Sequence, residues 1–274
     1  MLMDTILQFA FPMITYVILL LLFVEVMRKN IRFAFVFWIA SLFTFPLWIE
    51  NLDGWFRWVK ILSVVIPTAL LVGFGRIANY ENLAGFWAFY RKDWILWSMY
   101  GVLLLNIAEA TLKDFQTGNY PNVLVGIILC VSIPLVYAKG QKQGWVFSKE
   151  KPGDLLAYTT AGWNFLYTTW NLAFVYGESP SFFASSFCIL FAAELYPILK
   201  KRPELYVTAR IYTLAIHLLL RATYDVFTPV MDSTSWYSEV IQDYWGWLNL
   251  LIAVPFTFIW VRRVVKRRAN AALA

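Results

Sequence analysis

The segment LYVTARIYTLAIHLLLRATYDVFTPV, residues 205–230, has the length and apolar content of a helix that spans a membrane, yet it contains four ionisable residues. On a helical wheel, Arg210, His217, Arg221 and Asp225 fall within an arc of roughly 80°. Most of the remaining circumference is Leu, Ile, Ala and Val. Because ionisable side chains are costly in hydrocarbon, this face is expected to look into protein or water. The segment therefore predicts a polar chamber inside a membrane protein.

The composition of the whole chain predicts the same class. Of its 274 residues, 60% are hydrophobic and 15% are charged, and the mean hydropathy is +0.60. Soluble domains average roughly half apolar and a quarter charged residues. A net charge of +6 is compatible with nucleic-acid binding, but here the basic residues lie in short loops between apolar segments, which is typical of membrane topology. We therefore expect membrane lipids as partners and no nucleic acid, while the oligomeric state is unknown from the sequence.

Nine apolar segments are each long enough to cross the bilayer core, which needs about 20 helical residues. We predict an all-α, polytopic membrane helix bundle in which residues 1–274 form a single integral membrane domain. The nine predicted transmembrane helices lie near residues 5–27, 32–50, 58–76, 93–112, 122–139, 155–177, 181–200, 204–230 and 239–262.

The distribution of basic residues predicts the orientation of this bundle. Of the 23 Lys and Arg residues, Arg57, Lys60 and Lys113 lie on one side of the nine-helix arrangement, Arg210 and Arg221 lie within the eighth helix, and all the others lie on the opposite side. Cytoplasmic loops are those that carry an excess of Lys and Arg. The N-terminus is therefore predicted to be outside and the C-terminus to be cytoplasmic.

Polar residues of several predicted helices fall at one depth in the outer half of the membrane when depth is counted at 1.5 Å per residue. These candidate substrate-binding residues are Asn106, Glu109, Asn164, Tyr167, Trp170, Asn171, His217, Arg221, Tyr224 and Asp225. Arg221 is the candidate clamp for an anion, because its planar guanidinium matches a carboxylate. Glu109 and Asp225 would balance its charge or exchange protons. The alternative is that these residues pair with one another and only hold the helices together.

A second, inner polar pair is predicted from Glu194 on the seventh helix and Arg210 on the eighth, each one to two turns from the cytoplasmic face. Such an ion pair would be either a gate that opens during transport or a static clasp. His217, the single histidine, would either accept a proton in a coupled cycle or remain neutral in a hydrogen bond to a neighbouring helix.

The motifs of most enzyme classes are absent from the sequence. A catalytic zinc usually has several His or Cys ligands, and this chain has one His and two separated cysteines, Cys130 and Cys188. It contains no Gly-rich phosphate loop, nucleophile elbow or Asp-rich motif for magnesium diphosphate. We therefore expect neither a metal nor a cofactor.

Three strings together resemble a known family. They are WFRWVK at 55–60, NIAEATLKDFQ at 106–116 and WNLAFVY at 170–176, and ARIYTLA at 209–215 is a further match. In this order and spacing they resemble a bacterial multi-pass membrane protein family, best represented among clostridia, that is catalogued as a domain of unknown function. The resemblance extends over nearly the whole chain. It implies a bacterial cytoplasmic (inner) membrane and no established activity, and it transfers no catalytic residues.

Three functions remain open. The first is a small secondary transporter or carrier for a small polar or anionic solute, with or without proton coupling. The second is an intramembrane enzyme that acts on a lipid or isoprenoid, with Glu109, His217 or Asp225 as general acid or base. The third is a ligand-binding membrane sensor subunit. A transporter predicts a path along the bundle axis, whereas a lipid enzyme predicts a lateral opening and a long apolar groove.

Overall fold

The computed structural model describes residues 2–52, 54–137 and 144–273. Eleven helices account for nearly all regular structure in this part of the chain, so the prediction of an all-α helical bundle is confirmed. The helices are α1 (Leu2–Lys29), α2 (Ile31–Leu42), α3 (Trp55–Ile66), α4 (Phe74–Tyr80), α5 (Trp94–Gln116), α6 (Tyr120–Ser132), α7 (Ala161–Glu178), α8 (Phe183–Lys200), α9 (Tyr206–Thr223), α10 (Thr228–Met231) and α11 (Glu239–Leu273).

Short 3-10 segments occupy several of the connections between these helices. They are Phe45–Trp48, Gly85–Arg91, Pro180–Phe182, Pro203–Leu205 and Thr234–Trp236. The two short strands of the described chain, β1 (Trp145–Phe147) and β2 (Leu155–Ala157), form an antiparallel hairpin in which Trp145 pairs with Ala157.

Five helical segments of the described residues are long and apolar enough to cross a membrane. They are Gln8–Lys29, Arg57–Tyr80, Trp94–Gln116, Pro180–Lys200 and Glu239–Lys266. On α1, α5 and α11 large apolar side chains such as Phe11, Leu105 and Phe258 are exposed, as expected where a helix faces lipid rather than water. These features fit the prediction of a membrane protein. Two further apolar helices, α2 and α6, are shorter.

Two helices with many polar residues, α7 and α9, lie in the interior of the bundle. Twelve of the 18 residues of α9 and eleven of the 18 residues of α7 are buried. Helix α9 packs against α1, α3 and α8, and α7 packs against α6, α8 and α11. Their burial explains their composition, because polar groups in a membrane protein are tolerated where protein rather than lipid surrounds them.

A π-helical stretch, Pro67–Gly73, joins α3 to α4 within one continuous helix. Pro67 has no backbone N–H to donate within the helix, and local π geometry is one way in which a helix accommodates such a residue. The next residue, Thr68, is buried, and its hydroxyl donates a hydrogen bond to the Val64 carbonyl at 2.7 Å. Val64, Pro67 and Thr68 all line a cavity described below.

The β1–β2 hairpin replaces the start of the predicted sixth transmembrane helix. All three residues of β2 are buried, and the hydroxyl of Thr208 on α9 donates a hydrogen bond to the Leu155 carbonyl. Helix α7 begins only at Ala161, where the Thr160 side chain accepts a hydrogen bond from the Trp163 N–H. The prediction of a helix from residue 155 is therefore wrong, because the apolar residues 155–157 are buried as a strand.

Other predicted boundaries also change. The predicted eighth helix, 204–230, ends as α9 at Thr223, and Tyr224 is extended, so Asp225 is not on the helical face assigned to it. The predicted second helix, 32–50, ends at Leu42, and the ninth continues to Leu273. Lys139 and Lys142, which were counted toward the cytoplasmic side, lie outside the described residues.

Candidate functional site

An open, polar cavity of about 620 Å³ lies at one end of the bundle, where α3 begins and α7 and α9 end. We call it the vestibule. Its charged lining residues are Glu50, Arg57, Lys60, Glu178, Arg221 and Asp225. Phe182, Leu218 and Ile61 are among the apolar residues that line it. Similar numbers of acidic and basic groups therefore face this cavity.

Ion pairs between helices organise part of the vestibule wall. Lys60 Nζ on α3 lies 3.7 Å from Glu109 Oε1 on α5, and Lys113 Nζ on α5 lies 3.7 Å from Glu178 Oε2 on α7. All four side chains keep partial contact with solvent, so each pair contributes little to stability. Their effect is to join α5 to the two helices that line the cavity.

Arg221 is the basic residue of the vestibule that α9 supplies. Its guanidinium carbon lies 3.6 Å from the centroid of the Phe182 ring, which is cation–π geometry. Among the ion pairs of the described residues, none within 4.0 Å involves Arg221. Tyr224 and Asp225 follow it into the same cavity and are exposed. Arg221 is thus held by an aromatic ring and remains available to an anionic or polar ligand.

A second, smaller cavity of about 60 Å³ lies deeper between α3, α5, α7 and α9. We call it the chamber. Most of its lining is apolar or aromatic, including Val64, Met99 and Leu214. Asn106 and Arg210 are its amide and charged lining residues. The chamber is therefore a mainly apolar space with one guanidinium at its wall.

Arg210 itself is almost completely buried, with 8% of its surface exposed. Its Nη2 donates a long hydrogen bond, 3.4 Å, to Asn171 Oδ1 on α7. Its Nε and Nη1 have no hydrogen-bond partner among the described residues. A buried charge with unsatisfied donors is costly, and such groups are normally paired.

The vestibule and the chamber follow one another along the seam between α3 and α9. On α3, Ile61 lines the vestibule and Val64 lines the chamber. On α9, Leu218 lines the vestibule and Leu214 lines the chamber. Each pair is about one helical turn apart, and Arg210 lies about 16 Å along the helix axis from Arg221. The two cavities therefore adjoin on the same helix faces.

The β1–β2 hairpin packs at the opposite end of this seam. Trp145, Leu155 and Ala157 are fully buried, and the hairpin contacts α4 and α9. A loop carboxylate beside it, Asp154, accepts a 2.8 Å hydrogen bond from Arg28 Nε on α1 and is also buried. The hairpin end is consequently packed, while the vestibule end is open.

Several predicted site residues do lie together. Arg221, Tyr224 and Asp225 line the vestibule, and Glu109 is connected to it through Lys60. Asn106 and Tyr167 line the chamber, and Asn171 is bonded to Arg210 beside it. The single predicted layer is therefore divided into two levels.

His217 does not face either cavity. Its Nδ1 shares a 3.1 Å hydrogen bond with the Tyr16 hydroxyl on α1, and its ring centroid lies 4.6 Å from that of Phe227. The structure places it apart from the other predicted site residues, because α9 is surrounded by protein and its polar residues contact different neighbours. The structure agrees with the alternative, a histidine bonded to a neighbouring helix.

Trp170 and Asn164 have structural partners away from the vestibule. Trp170 Nε1 donates to the Asn122 carbonyl at 2.9 Å, and Asn164 Nδ2 donates to the Pro203 carbonyl at 3.0 Å. Because α7 begins at Ala161, Asn164 lies in its first turn rather than at mid-membrane depth. Neither residue is part of the two cavities.

The predicted ion pair between Glu194 and Arg210 is not formed in the structure. Glu194 Oε2 accepts a 2.9 Å hydrogen bond from Thr168 Oγ1, and the same hydroxyl lies 2.7 Å from the Tyr206 hydroxyl. Thr168 and Tyr206 thus take the place of a basic partner for Glu194. Arg210 is left with only its bond to Asn171.

A buried amide network that was not predicted from the sequence joins α5, α6, α7 and α11. Asn122 Nδ2 donates to Asp114 Oδ2 at 2.7 Å, and Asn249 Nδ2 donates to Asn122 Oδ1 at 2.9 Å. Thr169 Oγ1 donates to Asn249 Oδ1 at 2.8 Å. The signal in the sequence was limited to Asn122 and Asn249, each a lone amide beside or within an apolar run. This network has internal partners and is interpreted as structural.

Comparisons with protein-family models, curated proteins and solved structures found no match. Within the described residues, no group of three or more His, Cys, Asp or Glu side chains is arranged to hold a metal ion. The candidate site therefore rests on its own geometry, namely the vestibule, the chamber and the two arginines on α9.

Proposed function

We propose that this protein is a small secondary carrier that takes up a small polar or anionic solute through the vestibule. The observation that carries the proposal is the contrast between the two ends of the α3–α9 seam. A polar cavity of about 620 Å³ is open at one end, and a buried hairpin packs at the other. Alternating access requires a site that is reached from one side at a time.

The proposal extends to the membrane arrangement. Nine spans, with the N-terminus outside and the C-terminus cytoplasmic, would place the vestibule outside and the hairpin on the cytoplasmic side. The resemblance of the three sequence strings supports a bacterial cytoplasmic membrane as the location. In this arrangement α7 and α9 are spans despite their polarity, because other helices surround them.

Charge in the vestibule supports a polar or anionic solute. Lys60 is close to Glu109 and Lys113 is close to Glu178, whereas Arg221 lies over Phe182 without a carboxylate within 4.0 Å among the described residues. A solute carboxylate would supply the missing partner for its guanidinium. Asp225, exposed in the same cavity, favours a solute that also carries a donor group.

The enzyme hypothesis receives less support. It assigned general acid–base chemistry to Glu109, His217 or Asp225, and His217 is bonded to Tyr16 away from both cavities. Asp225 is exposed in the vestibule, Glu109 is exposed beside Lys60, and neither lines the apolar chamber. A sensor that binds a ligand without moving it differs from a carrier only in the transport step.

Substitution of Arg221 by alanine tests the proposal. Purified protein would be screened by thermal shift against carboxylates, zwitterions and neutral polar solutes, and uptake of any stabilising solute would be measured in proteoliposomes. We expect one solute class to stabilise the wild type and to be taken up, and R221A to lose on the order of tenfold or more in affinity. Arg262 is exposed on α11, away from both cavities, so Arg262→Ala is the control and should behave as the wild type.

Two results would overturn the carrier. One is the absence of uptake by well-folded wild type for every solute that binds. The other is uptake that R221A and R262A support equally well.

A further inference from the structure

We infer that the chamber is a binding site for a short-chain monocarboxylate, whose carboxylate pairs with Arg210 and whose alkyl part lies against the apolar wall. As a statement about the transported solute this rests on the proposed function. As a statement about binding it rests only on the chamber. The sequence assigned Arg210 to an ion pair with Glu194, a pair that is not formed.

The hydrogen bonding of Arg210 favours an anionic ligand. A guanidinium has five N–H donors, of which one belongs to Nε and two to Nη1. Nε and Nη1 have no partner among the described residues and are themselves buried, so three of the five donors are unsatisfied and meet a ligand only when the guanidinium turns toward the chamber. No carboxylate side chain lines the chamber in the part of the chain that the structure describes. An anionic ligand would supply both the charge and the acceptors that Arg210 lacks.

The apolar wall of the chamber favours a ligand with an alkyl group. Val64, Met99, Val102, Leu103 and Leu214 surround the space with aliphatic or thioether side chains. Such a surface stabilises an alkyl group and does not satisfy the remaining oxygens of phosphate or sulfate. The combination of one guanidinium and an apolar wall is therefore selective for an anion with one charged end.

The volume of the chamber also fits a short-chain monocarboxylate. A cavity of about 60 Å³ exceeds the roughly 10–15 Å³ that one water molecule needs, so it has room for a small organic anion. Acetate, propionate and butyrate have four to six non-hydrogen atoms. The partly buried amide of Asn106, which also lines the chamber, adds a group able to donate to the second carboxylate oxygen.

The vestibule adjoins the chamber along α3 and α9. Ile61 and Leu218 line the vestibule one turn from Val64 and Leu214, which line the chamber. A carboxylate that first meets Arg221 would therefore move inward along α9 toward Arg210. The vestibule is the polar entry, and the chamber is the selective site.

The experiment measures binding of defined probes to the purified full-length protein. Sodium acetate, propionate and butyrate are titrated by calorimetry and thermal shift in a buffer without other carboxylates. Propionamide, a neutral isostere, and sodium chloride and phosphate, which lack an alkyl group, are the comparison probes. We expect saturable binding of propionate and butyrate, and binding of the comparison probes that is at least about tenfold weaker.

Three variants locate the site. Arg210→Gln should weaken propionate binding by on the order of tenfold or more, because it removes the charge. Val102→Phe keeps Arg210 and fills the chamber, so it should also abolish binding. Arg262→Ala, away from both cavities, is the control and should bind propionate within about threefold of the wild type. If R210Q does not fold, V102F and the conservative Arg210→Lys, which loses the planar fork, decide the question.

Each result has a defined meaning. The inference is overturned if no monocarboxylate binds the folded wild type, if propionamide, chloride or phosphate binds as well as propionate, or if V102F binds normally. Failure here together with R221A-sensitive uptake of another solute would leave the carrier intact. Binding at Arg210 without any uptake would support the chamber and overturn the carrier.

Discussion

Arg76 and Arg210 are both buried arginines, and they differ in what satisfies them. Arg76, with 1% of its surface exposed, donates five hydrogen bonds to neutral oxygens. Two of the acceptors are the carbonyls of Met27 and Arg28 at the end of α1. Arg210 donates one long bond. A satisfied guanidinium is a structural tie, whereas an unsatisfied one beside a cavity is a candidate ligand site.

Removal of Arg76 should destabilise the protein strongly. Arg76→Ala leaves carbonyls of α1 and of the loop before β2 without a donor, so we expect a loss of about 3 kcal/mol or more in the free energy of unfolding. Arg76→Lys should lie between R76A and the wild type, because one ammonium cannot reach the same set of acceptors. The measurement is the thermal midpoint in detergent.

An exposed arginine provides the matched control for Arg76. Arg91 also donates to a backbone carbonyl, that of Leu83, but it is exposed to solvent. Arg91→Ala should change stability by less than about 0.5 kcal/mol. Equal losses of stability in R76A and R91A would show that Arg76 does not hold α1 against the hairpin.

Individual roles on α9 were only partly predictable from the sequence. The helical wheel gave the angles of Arg210, His217 and Arg221 but not the neighbours that each would meet. Helix α9 lies inside the bundle and has protein on every side. Its polar arc spans less than 90°, yet His217 on this arc contacts α1 and Arg210 lines the chamber. Arg76 was counted only among the basic residues of the cytoplasmic side, since no pattern in its own segment marks the carbonyls that it binds.

At the scale of the elements, the hairpin and α4 are fitted together by one glycine. The ring of Phe147 on β1 packs directly on Gly75, and a Cβ there would lie 2.5 Å from Phe147 Cζ. Alanine has a higher helix propensity than glycine by about 1 kcal/mol, so a loss of stability at this position would report packing alone. The hairpin was not predicted because three-residue strands leave no periodic signal, and residues 155–157 are as apolar as a helix start.

Gly75→Ala should therefore destabilise the protein and loosen the hairpin. We expect a lower thermal midpoint and faster proteolysis within residues 145–157, because the aromatic ring has to move away from α4. Gly101→Ala on α5 is the control, since nothing lies within 4 Å of a Cβ built there, and it should be neutral or stabilising. Equal midpoints for the two variants would contradict the close packing of β1 on α4.

At the scale of the whole molecule, the helical-bundle fold could be predicted from composition and segment length. The depth of each site residue within the bundle could not. Basic residues and apolar runs are local properties that a sequence displays directly. Register between helices is set by long-range packing, as in the contact of Asn249 with Asn122. Because α7 begins at Ala161, Asn164 lies near the end of the bundle rather than at mid-membrane depth, and Asn171 lies beside Arg210.

Accessibility of single cysteines to a membrane-impermeant maleimide tests the one-ended seam most directly. Arg57→Cys, Leu218→Cys and Lys149→Cys would each be placed in a background without Cys130 and Cys188, and labelled in intact and in permeabilised cells. These positions report the rim of the vestibule, its wall on α9 and the exposed hairpin turn. We predict labelling of R57C and, more slowly, of L218C in intact cells, and labelling of K149C only after permeabilisation. Labelling of K149C in intact cells, or of L218C only after permeabilisation, would contradict a path that opens at the vestibule.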